Sequence, residues 1–456
     1  MTLLSGTRTE QPGTAWAPRH RALSTGILLL VTLMAFESLG VNTAIPTLVA
    51  DLHGTGMYTW PFVAFLGSSV VATVLAGQLC DRRGPRPALA LGPLFFLAGL
   101  VVAGSAGSMS VLLVGRALQG FGDGMLIVPV YVLIGLVYGE RDQLTMFATL
   151  SAAYVVPALV GPALAGWLTE RFTWRLVFFA IVPFAVLGFA LLLPVLRSLP
   201  SGGAPVAPAR RGLPVAALAG SAGIAAIGWA AQHPTLPSLL LGAAAIAVLV
   251  PSLRVLLPAG TLRARRGLPV TVLARGLLAG TFFGTEAFIP YTLTTVHGYS
   301  PPECGVPLTL SALGWAAGSW WQSRHPGIPR ERLVRAGFVL TACGSAGLTA
   351  VAFPAGPAWA TAGVWAVAGA GMGLAVSSLS AVALSLAGDA DRGFTSSALQ
   401  ITDMLGTALL VGLAGTVVTG PVAARTGTTT ALVVLDLLMA AGALTGAVLT
   451  GARCRP

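Results

Sequence analysis

The feature that most constrains this chain is a series of fourteen apolar runs, most about 20 residues long, separated by short polar segments. A helix of about 20 apolar residues crosses a bilayer core of about 30 Å. Within lipid every backbone N–H and C=O must be hydrogen-bonded to another backbone group, so only helices and closed β-barrels span a membrane. Runs of this length favour helices, because barrel strands are shorter. We therefore predict an all-α polytopic membrane protein with 14 transmembrane helices. The runs cover residues 24–48, 58–80, 87–106, 110–137, 143–168, 175–196, 213–231, 236–257, 268–296, 304–322, 333–353, 357–387, 394–419 and 428–450.

The composition excludes several other classes of protein. Only 9% of the residues are charged and 55% are hydrophobic, with a mean hydropathy of +0.83. A soluble globular protein has about 25% charged residues. An ordinary soluble enzyme, a disordered chain and a coiled coil are therefore excluded. The 57 glycines and 31 prolines fit membrane helices, in which small residues allow close packing and neighbouring groups satisfy freed backbone bonds.

The positive charges indicate topology rather than a nucleic-acid partner. All 26 basic residues are arginine, and the formal net charge is +11. The predicted outer loops hold only Arg171, Arg175 and Arg425, and Arg116 and Arg275 lie within apolar runs. The other 21 lie on the predicted inner side. Because cytoplasmic loops carry the excess of basic residues, both termini are predicted to be cytoplasmic.

Metal, disulfide and cofactor chemistry is not indicated. Cys80, Cys304, Cys343 and Cys454 have neither the spacing of a metal site nor that of a disulfide framework. The sequence also has no nucleotide-binding loop, which argues against an ATP-driven pump and against an enzyme. The first run contains Glu37 and lacks a small-residue cleavage site, so we predict a retained first helix and no secretory signal.

The two halves of the chain resemble each other. The first run ends with Pro46 followed by His53-Gly54, and the ninth ends with Pro290 followed by His297-Gly298 at the same spacing. A basic loop follows the next span in each half. An acid–arginine pair then opens a later span, Glu140-Arg141 in one half and Asp391-Arg392 in the other. This order predicts two pseudo-repeated six-helix bundles, a design used by many secondary transporters.

An extra helix hairpin lies between the predicted bundles. Its two runs enter and leave the membrane from the same side, so twelve spans with unchanged orientation would remain if it did not insert. The predicted organisation is a cytoplasmic tail (1–23), a six-helix bundle (24–196), a linker rich in Pro, Gly and Arg (197–212), the transmembrane hairpin (213–257), a second six-helix bundle (258–450) and a tail (451–456).

Two charged residues inside the membrane are predicted to meet. An ionisable group at bilayer depth costs about 2.5–3.5 kcal/mol on insertion scales and therefore usually has a partner or a function. Glu37 lies about 18 Å and Arg116 about 21 Å from the inner surface, from a rise of about 1.5 Å per residue. Arg116, Gln119 and Asp123 share one helix face, which is predicted to line a polar interior.

This arrangement suggests a way to couple a proton to movement. The proton affinity of a carboxylate depends on its distance from a guanidinium. If the contact between Glu37 and Arg116 changes with conformation, a proton is taken up or released. Asp123 could compete with Glu37 for Arg116 or bind a proton itself. The alternative is a static buried ion pair that fixes helix packing.

Four other ionisable residues lie within runs. Glu286 is predicted in the outer half, where it binds a cationic substrate or a second proton, or accepts a hydrogen bond from a neighbouring helix. Asp403 either forms a polar stripe with Ser396 and Gln400 near the inner side or anchors the loop of residues 82–86. Asp436 is predicted to be a packing or interface residue, and Arg275 to extend its side chain towards the inner surface.

The loop between the second and third runs reads Gly77-Gln78-Leu79-Cys80-Asp81-Arg82-Arg83-Gly84-Pro85-Arg86. It resembles the loop motif G-x-L-a-D-r-x-G-r-r of the major facilitator superfamily. Physically, Gly77 would permit close helix contact, Asp81 would accept hydrogen bonds near a helix end, and Gly84 would allow a tight turn. Arg82 and Arg86 would hold the loop inside and pair across the halves. The resemblance implies a conformational-switch loop formed by these residues.

Two further segments resemble motifs of the same superfamily. Arg116-Ala117-Leu118-Gln119-Gly120 is similar to the R-x-x-Q-G of its fourth span, which implies a role in proton transfer. The segment from residue 157 to 166 resembles the antiporter motif G-x3-G-P-x2-G-G of its fifth span, with Pro157 and Ala165 in place of two glycines. The resemblance implies an antiporter helix formed by Pro157, Gly161, Pro162 and Gly166.

The first span carries a third resemblance. Glu37, followed by Asn42-Thr43-Ala44-Ile45-Pro46, is similar to the acidic residue and N-x-A-x-P pattern of drug exporters, with Glu where Asp is frequent. Together with the extra hairpin, these motifs resemble the fourteen-span drug:proton antiporter group. The resemblance covers nearly the whole chain.

The leading functional hypothesis is a proton-coupled antiporter that exports amphipathic or cationic small molecules by alternating access. Its coupling residues would be Glu37, Arg116 and Asp123, with the proton as coupling ion and no other cofactor. Its partners would be a small-molecule substrate and the lipid bilayer, with no nucleic acid, and it would work as a monomer in the bacterial inner membrane. Substrate contacts are expected from Glu37, Gln119, Glu286 and Trp315.

Two alternatives stay open at this point. The same fold could export or translocate a lipid or an endogenous metabolite, for which an apolar lateral opening would be needed. A membrane enzyme or scaffold without transport is the third hypothesis. Trp315, Trp320 and Trp321 either contribute to a cation site or form an interfacial belt of aromatic side chains.

Overall fold

The computed structural model describes residues 18–453 except 139–141, 143–145, 147–148, 151–152, 199–211, 234, 326 and 388–391. The described part consists of helices, turns and short connections, without a β-strand. Most of the predicted linker lies outside the described residues, as do Glu140, Arg141 and Asp391 of the predicted acid–arginine pairs. The all-helical fold class predicted from the apolar runs is confirmed.

The first half contains long helices joined by short loops. Its helices are α1 (Pro18–Asp51), α2 (Trp60–Arg83), α3 (Arg86–Gly104), α4 (Met109–Val137), α5 (Val155–Arg171), α6 (Arg175–Phe179) and α7 (Val182–Ser198). The short α6 and the longer α7 occupy the sixth apolar run. The extra hairpin consists of α8 (Leu213–Gln232) and α9 (Leu236–Leu256).

The second half repeats this plan. Its helices are α10 (Leu268–Glu286), α11 (Ile289–His297), α12 (Pro301–Ser323), α13 (Arg330–Leu348), α14 (Ala360–Leu386), α15 (Arg392–Val418), α16 (Pro421–Thr426) and α17 (Thr428–Arg453). In α1 the chain is helical through Pro46 for 34 residues, whereas the equivalent run is broken between α10 and α11, just before Pro290.

Local chemistry explains where several helices begin and end. Gly84 ends α2 with a φ of 76°, a conformation that a residue without a Cβ adopts at little cost. The Glu303 carboxylate accepts hydrogen bonds of 2.8 Å from the backbone N–H and the hydroxyl of Ser300 at the start of α12. These bonds favour the charged form and hold the pKa of Glu303 below its ordinary value.

Alternating helices define two ends of the bundle. The terminal end holds the first turns of α1, where the Ser24 hydroxyl lies 2.8 Å from the Tyr138 hydroxyl. The distal end holds the last turn of α1, where Asp51 accepts hydrogen bonds from Trp174 (2.9 Å) and Arg175 (3.1 Å).

Helix packing shows the same pattern in both halves. In the first half, α4 packs along α2 and α3, and α1 packs along α5 and α7. In the second half, α14 packs along α12 and α13, and α10 packs along α15 and α17. The same order of elements and the same contacts in each half agree with the pseudo-repeat predicted from the sequence.

The halves meet along two seams. One seam is formed by α5 and α12, and the other by α2 and α15. Helix α8 of the hairpin packs against both α2 and α15 and therefore covers the second seam. The Ser221 hydroxyl of α8 donates a hydrogen bond of 2.9 Å to the Gly67 carbonyl of α2.

In the described part of the chain, 11 helical segments are long and apolar enough to cross a membrane. The other three predicted spans correspond to α5, α12 and α13. Helix α5 is described only from Val155 onward, and α13 begins with the charged residues Arg330, Glu331, Arg332 and Arg335. All three pack among neighbouring helices.

Candidate functional site

The centre of the first half holds a buried ion pair. The Arg116 guanidinium of α4 contacts the Glu37 carboxylate of α1 through Nη1 and Oε1. Glu37 is 0% exposed and Arg116 is 4% exposed. The contact predicted from the depths of the two residues is therefore present. Each side chain supplies the countercharge that an ionised group needs inside a membrane.

Arg116 also bonds to other groups around it. Its Nη1 donates to the Gln119 Oε1 atom at 3.1 Å, and its Nε donates to the Pro61 carbonyl of α2 at 3.4 Å. The guanidinium carbon lies 4.5 Å from the centre of the Phe65 ring, within the range of a cation–π contact. One arginine therefore joins α1, α2 and α4.

Glycines bring α2 and α4 close enough for these bonds. A Cβ at Gly120 would overlap the Phe65 carbonyl, and a Cβ at Gly124 would overlap the Ser69 carbonyl. The two backbones are thus in direct contact next to the ion pair. This contact explains why the segment beginning at Arg116 needs a glycine after Gln119.

Two polar atoms beside the ion pair have no hydrogen-bond partner in the described part of the chain. They are the Oε2 atom of Glu37 and the Nε2 atom of Gln119, and both are buried. Buried polar atoms in native proteins are nearly always bonded to protein or to water. The Gln119 side chain also lies close to the Glu37 carboxylate, so these two neighbouring groups can share a water molecule or a ligand group at this site.

Asp123 lies one helical turn from Gln119 on the same helix. Its Oδ2 atom accepts a hydrogen bond of 2.9 Å from the Ser69 hydroxyl of α2. Asp123 is thus bonded to α2, whereas Arg116 forms its ion pair with Glu37. The predicted polar face of Arg116, Gln119 and Asp123 borders α1 and α2. That Asp123 binds a proton during transport stays a prediction.

In the second half, Glu286 is bonded to a tryptophan. Its Oε2 atom accepts a hydrogen bond of 3.0 Å from the indole N–H of Trp365 on α14. Phe282 stacks on Trp365 with the ring centres 4.8 Å apart, and its edge meets Trp315 at 6.1 Å. Phe283 completes this aromatic cluster, with its ring centre 6.4 Å from that of Trp315.

Sequence reasoning named Glu286 and Trp315 but missed Trp365. The sequence around a tryptophan in an apolar run does not show whether the side chain lies in a binding site or faces lipid. Its full burial is the deciding observation, because Trp365 is 0% exposed. Trp320 and Trp321 are exposed on α12 outside the cluster, as expected for side chains at the edge of a membrane.

The second half has its own ion pair, which corrects two predictions. The Arg275 Nε atom of α10 donates to both carboxylate oxygens of Asp403 on α15 at 2.7 and 2.9 Å. Its Nη1 donates to the Val376 carbonyl and the Ser380 hydroxyl of α14, each at 2.9 Å. Asp403 therefore does not anchor the loop of residues 82–86, and Arg275 does not extend to the inner surface.

Breaking this pair is expected to destabilise the protein. Asp403→Asn leaves a largely buried arginine without its countercharge, which costs about 3 kcal/mol of unfolding free energy. Replacing both Arg275 and Asp403 by Leu restores part of the loss. Denaturation of the detergent-purified variants measures this. Asp51→Asn is the matched control, because the pair of Asp51 with Arg175 is exposed and contributes less than about 1 kcal/mol. Equal losses of unfolding free energy in Asp403→Asn and Asp51→Asn would contradict the expectation.

The loop motif is only partly as expected. Gly84 forms the predicted turn with a positive φ, and the side chains of Asp81 and Arg82 are exposed. A Cβ at Gly77 would meet no heavy atom within 4 Å. The expectation that Gly77 permits close helix contact is therefore wrong for this conformation. The switching role of the loop, including Arg86, stays a prediction.

The predicted antiporter segment of α5 lies at the seam with α12. A Cβ at Gly166 would come within 2.6 Å of the Pro301 carbonyl oxygen, and one at Gly305 within 2.8 Å of the Pro162 carbonyl. The Thr309 hydroxyl donates to the Leu159 carbonyl at 3.4 Å. The distal parts of the two halves are thus in backbone contact here. Pro157 is buried nearer the terminal end of α5, and Gly161 faces Phe36 of α1.

A second contact closes the distal end at the α10–α11 break. The Tyr58 hydroxyl, just before α2, donates to the Ala287 carbonyl at 2.8 Å. The Tyr58 ring lies 5.1 Å from the ring centres of both Phe288 and Tyr291. Aromatic packing between the halves therefore covers the distal side of the central sites.

The comparisons with known proteins agree with this architecture. The family model of the Major Facilitator Superfamily matches residues 27–411, which cover the first half, the hairpin and the second half as far as α15. The chain belongs to the major facilitator superfamily. The predicted family resemblance is therefore confirmed.

Similar proteins of this superfamily include efflux proteins. A probable multidrug-efflux transporter of Mycobacterium tuberculosis strain H37Rv is 29% identical over 91% of this chain and 92% of its own length. The multidrug transporter protein MdtP of Bacillus subtilis is 29% identical over 37% of this chain and 31% of its own length. The acurin A biosynthesis cluster MFS-type transporter of Aspergillus aculeatus is 33% identical over 38% of this chain and 31% of its own length. The chain thus matches about a third of the length of each of these last two relatives.

Solved structures with the same fold include peptide-transporter relatives. The POT family transporter PepTSo superposes with a TM-score of 0.72 at 14% identity, covering 95% of this chain and 98% of that chain. A POT family transporter in complex with 5-aminolevulinic acid gives 0.70 at 14% identity, covering 95% and 96%. These likenesses concern the fold.

Proposed function

We propose that this protein is a proton-coupled antiporter that exports amphipathic or cationic small molecules by alternating access. The observation that carries the proposal is the buried pair of Glu37 and Arg116, which leaves one carboxylate oxygen free at the centre of the first half. A buried carboxylate with one oxygen paired and the other without a hydrogen bond can bind a proton or a substrate group in turn. Membership of the superfamily and similarity to a probable multidrug-efflux transporter support transport as the outcome.

Coupling follows from competition for one carboxylate. A proton on Glu37 removes its negative charge and weakens its attraction to Arg116, so the bonds between α1 and α4 change with protonation. A cationic substrate near Glu37 favours the charged form for the same electrostatic reason. Proton and substrate therefore exclude each other, which is the requirement for antiport. In this scheme the proton is the coupling ion, and Asp123 is the next acid on the same helix face.

The second half supplies the features of a cation site. Glu286 offers a carboxylate, which is bonded to Trp365. Trp365 belongs to an aromatic cluster with Phe282, Phe283 and Trp315. Aromatic faces attract cations by about 0.5–2 kcal/mol each and also bind apolar groups. An amphipathic amine matches both properties. Gln119, whose amide donor is free, would bind an acceptor on the same substrate.

The closed distal seams support an export cycle. The arginine distribution predicts that the terminal end faces the cytoplasm. Backbone contact between α5 and α12 and the Tyr58 contact close the opposite end. Substrate would then enter from the cytoplasmic side, and opening of the distal seams would release it. The protein would act as a monomer in the bacterial inner membrane.

The test is transport in proteoliposomes of the full chain with an imposed pH gradient. We expect lipophilic cationic dyes to move against their gradient when protons flow the other way. Glu286→Gln is expected to weaken transport of cationic dyes more than that of a neutral dye of similar size. Glu303→Gln, an exposed acid at the start of α12, is the matched control. Transport of fluorescent lipids alone, or turnover of a substrate without transport, would contradict the proposal.

A further inference from the structure

A small cavity lies near the distal end of the second half, away from both sites described above. It has a volume of about 10 Å³ and lies between the α10–α11 segment, the chain after α13, the start of α14, and α17. Its polar lining consists of Thr285, Thr292, Thr361 and Asp436, and its other lining residues are apolar. This is the room that one water molecule, or one dehydrated monovalent cation, needs.

Asp436 is the charged residue of this cavity. It is 7% exposed, and it makes no hydrogen bond or ion pair with any residue in the described part of the chain. An ionised carboxylate without a partner is very unfavourable in a low-dielectric interior. Asp436 is therefore neutralised either by a proton or by a cation that enters the cavity.

The three threonines present only acceptors to the cavity. The Thr285 hydroxyl donates to the Thr281 carbonyl at 3.0 Å and also lies 3.1 Å from the Ser345 hydroxyl. The hydroxyl of Thr292 donates to the Phe288 carbonyl at 2.9 Å, and that of Thr361 to the Ala358 carbonyl at 2.7 Å. A hydroxyl has a single proton to donate. Once it is used on the backbone, only lone pairs remain for the cavity.

Basic side chains on the surrounding helices are engaged or remote. His297 of α11 bonds through Nε2 to the Val351 carbonyl at 2.7 Å, and Arg275 of α10 is paired with Asp403. Helix α14 contains no charged residue, and α17 carries only Arg453 besides Asp436. Glu286 of α10 is bonded to Trp365, and Tyr291 of α11 packs against Tyr58. Helix α13 carries Arg330, Glu331, Arg332 and Arg335 in its first turns and the exposed Cys343.

We propose that Asp436 and the hydroxyl oxygens of Thr285, Thr292 and Thr361 bind one Na⁺ ion. Hard cations prefer carboxylate, hydroxyl and carbonyl oxygens, and every polar group of this cavity is an oxygen acceptor. One carboxylate balances one positive charge, which favours a monovalent over a divalent ion. The small volume excludes an organic ammonium ion. Neither the sequence motifs nor the transport proposal assigns this site.

The position of the site suggests what the ion does. Thr285 and Thr292 lie on opposite sides of the break between α10 and α11, and Asp436 reaches them from α17. An ion bound to all three would fix the broken segment against α17. The Tyr58 contact to Ala287 is formed at the same break, so Na⁺ would stabilise the conformation with the distal end closed.

The experiment measures thermal unfolding of the full chain purified in detergent at pH 8. NaCl is compared with KCl and N-methyl-D-glucamine chloride at equal ionic strength. We expect the Tm to rise with Na⁺ and to saturate, with little change in the other two salts. Asp436→Asn is expected to abolish the Na⁺-dependent rise, and Thr361→Val to move it to higher Na⁺ concentration. Lowering the pH should weaken the response, because a proton competes for Asp436.

Two control variants separate this site from other effects. Thr445→Val changes an exposed threonine of the same helix α17 and should retain the full Na⁺ response. Glu286→Gln should retain it as well, because Glu286 lies outside the cavity lining. A wild-type Tm that is independent of Na⁺, or an undiminished response in both Asp436→Asn and Thr361→Val, would overturn the proposal. Since no transport is measured, either result leaves the antiport proposal standing.

Discussion

The Glu37→Gln variant is expected to lose proton-driven efflux down to the rate of protein-free liposomes. The amide has nearly the shape of the carboxylic acid and can still accept a hydrogen bond from Arg116, but it cannot bind or release a proton. The contacts of Arg116 with Pro61 and Phe65 remain, so the fold is expected to persist with a lower Tm. Dye efflux driven by an imposed pH gradient measures the loss.

The matched control for this experiment is Glu170→Gln, the same chemical change at an exposed position of α5. It should leave efflux unchanged. Glu37→Gln should still bind the dye, because Glu286 and the aromatic cluster are intact, and should elute from size-exclusion chromatography like the wild type. Efflux that still follows the pH gradient in this variant would remove Glu37 from the mechanism.

The Gly166→Val variant is expected to lose transport for a mechanical reason. The Gly166 backbone is packed directly on Pro301 and Pro302, so the branched side chain of valine cannot fit while the α5–α12 seam is closed. The backbone on the other side cannot give way as a flexible side chain could. The variant should therefore be held with its distal end open, and the cycle should stop.

Labelling distinguishes this blocked state from unfolding. A cysteine introduced at Thr309, on the seam, should react with a membrane-impermeant maleimide from the distal side much faster in Gly166→Val than in wild type, with Cys343 replaced by Ser in both. Gly363→Val is the matched control, because a side chain there meets no atom within 4 Å. Equal labelling in all three, together with retained transport, would show that the seam does not need a glycine.

Most of the fold could be predicted from the sequence because the length of each apolar run and the placement of the arginines depend only on position along the chain. Depth along a helix is also one-dimensional, which is why Glu37 and Arg116 could be matched before the structure was known. The rotation of each helix about its axis is not encoded so simply. The same counting for Arg275 and Asp403 gives similar depths, but the sequence does not show that the two helix faces meet.

Single residues illustrate where sequence reasoning ends. Pro290 follows a break between α10 and α11, while Pro46 at the equivalent position lies in the unbroken α1. Gly77 faces open space, while Gly166 is packed against a neighbouring backbone. The residue types are the same in each comparison. The outcome depends on the opposing helix, which only the assembled bundle supplies.

The hairpin of α8 and α9 has a consequence for molecules dissolved in the bilayer. Since α8 lies over the meeting line of α2 and α15 and is bonded to α2 through Ser221, a hydrophobic compound diffusing in the leaflet finds that flank shielded. The flank where α5 meets α12 has no such cover from the hairpin. Sideways access from the lipid would therefore be asymmetric, because the hairpin screens one flank and leaves the opposite flank bare.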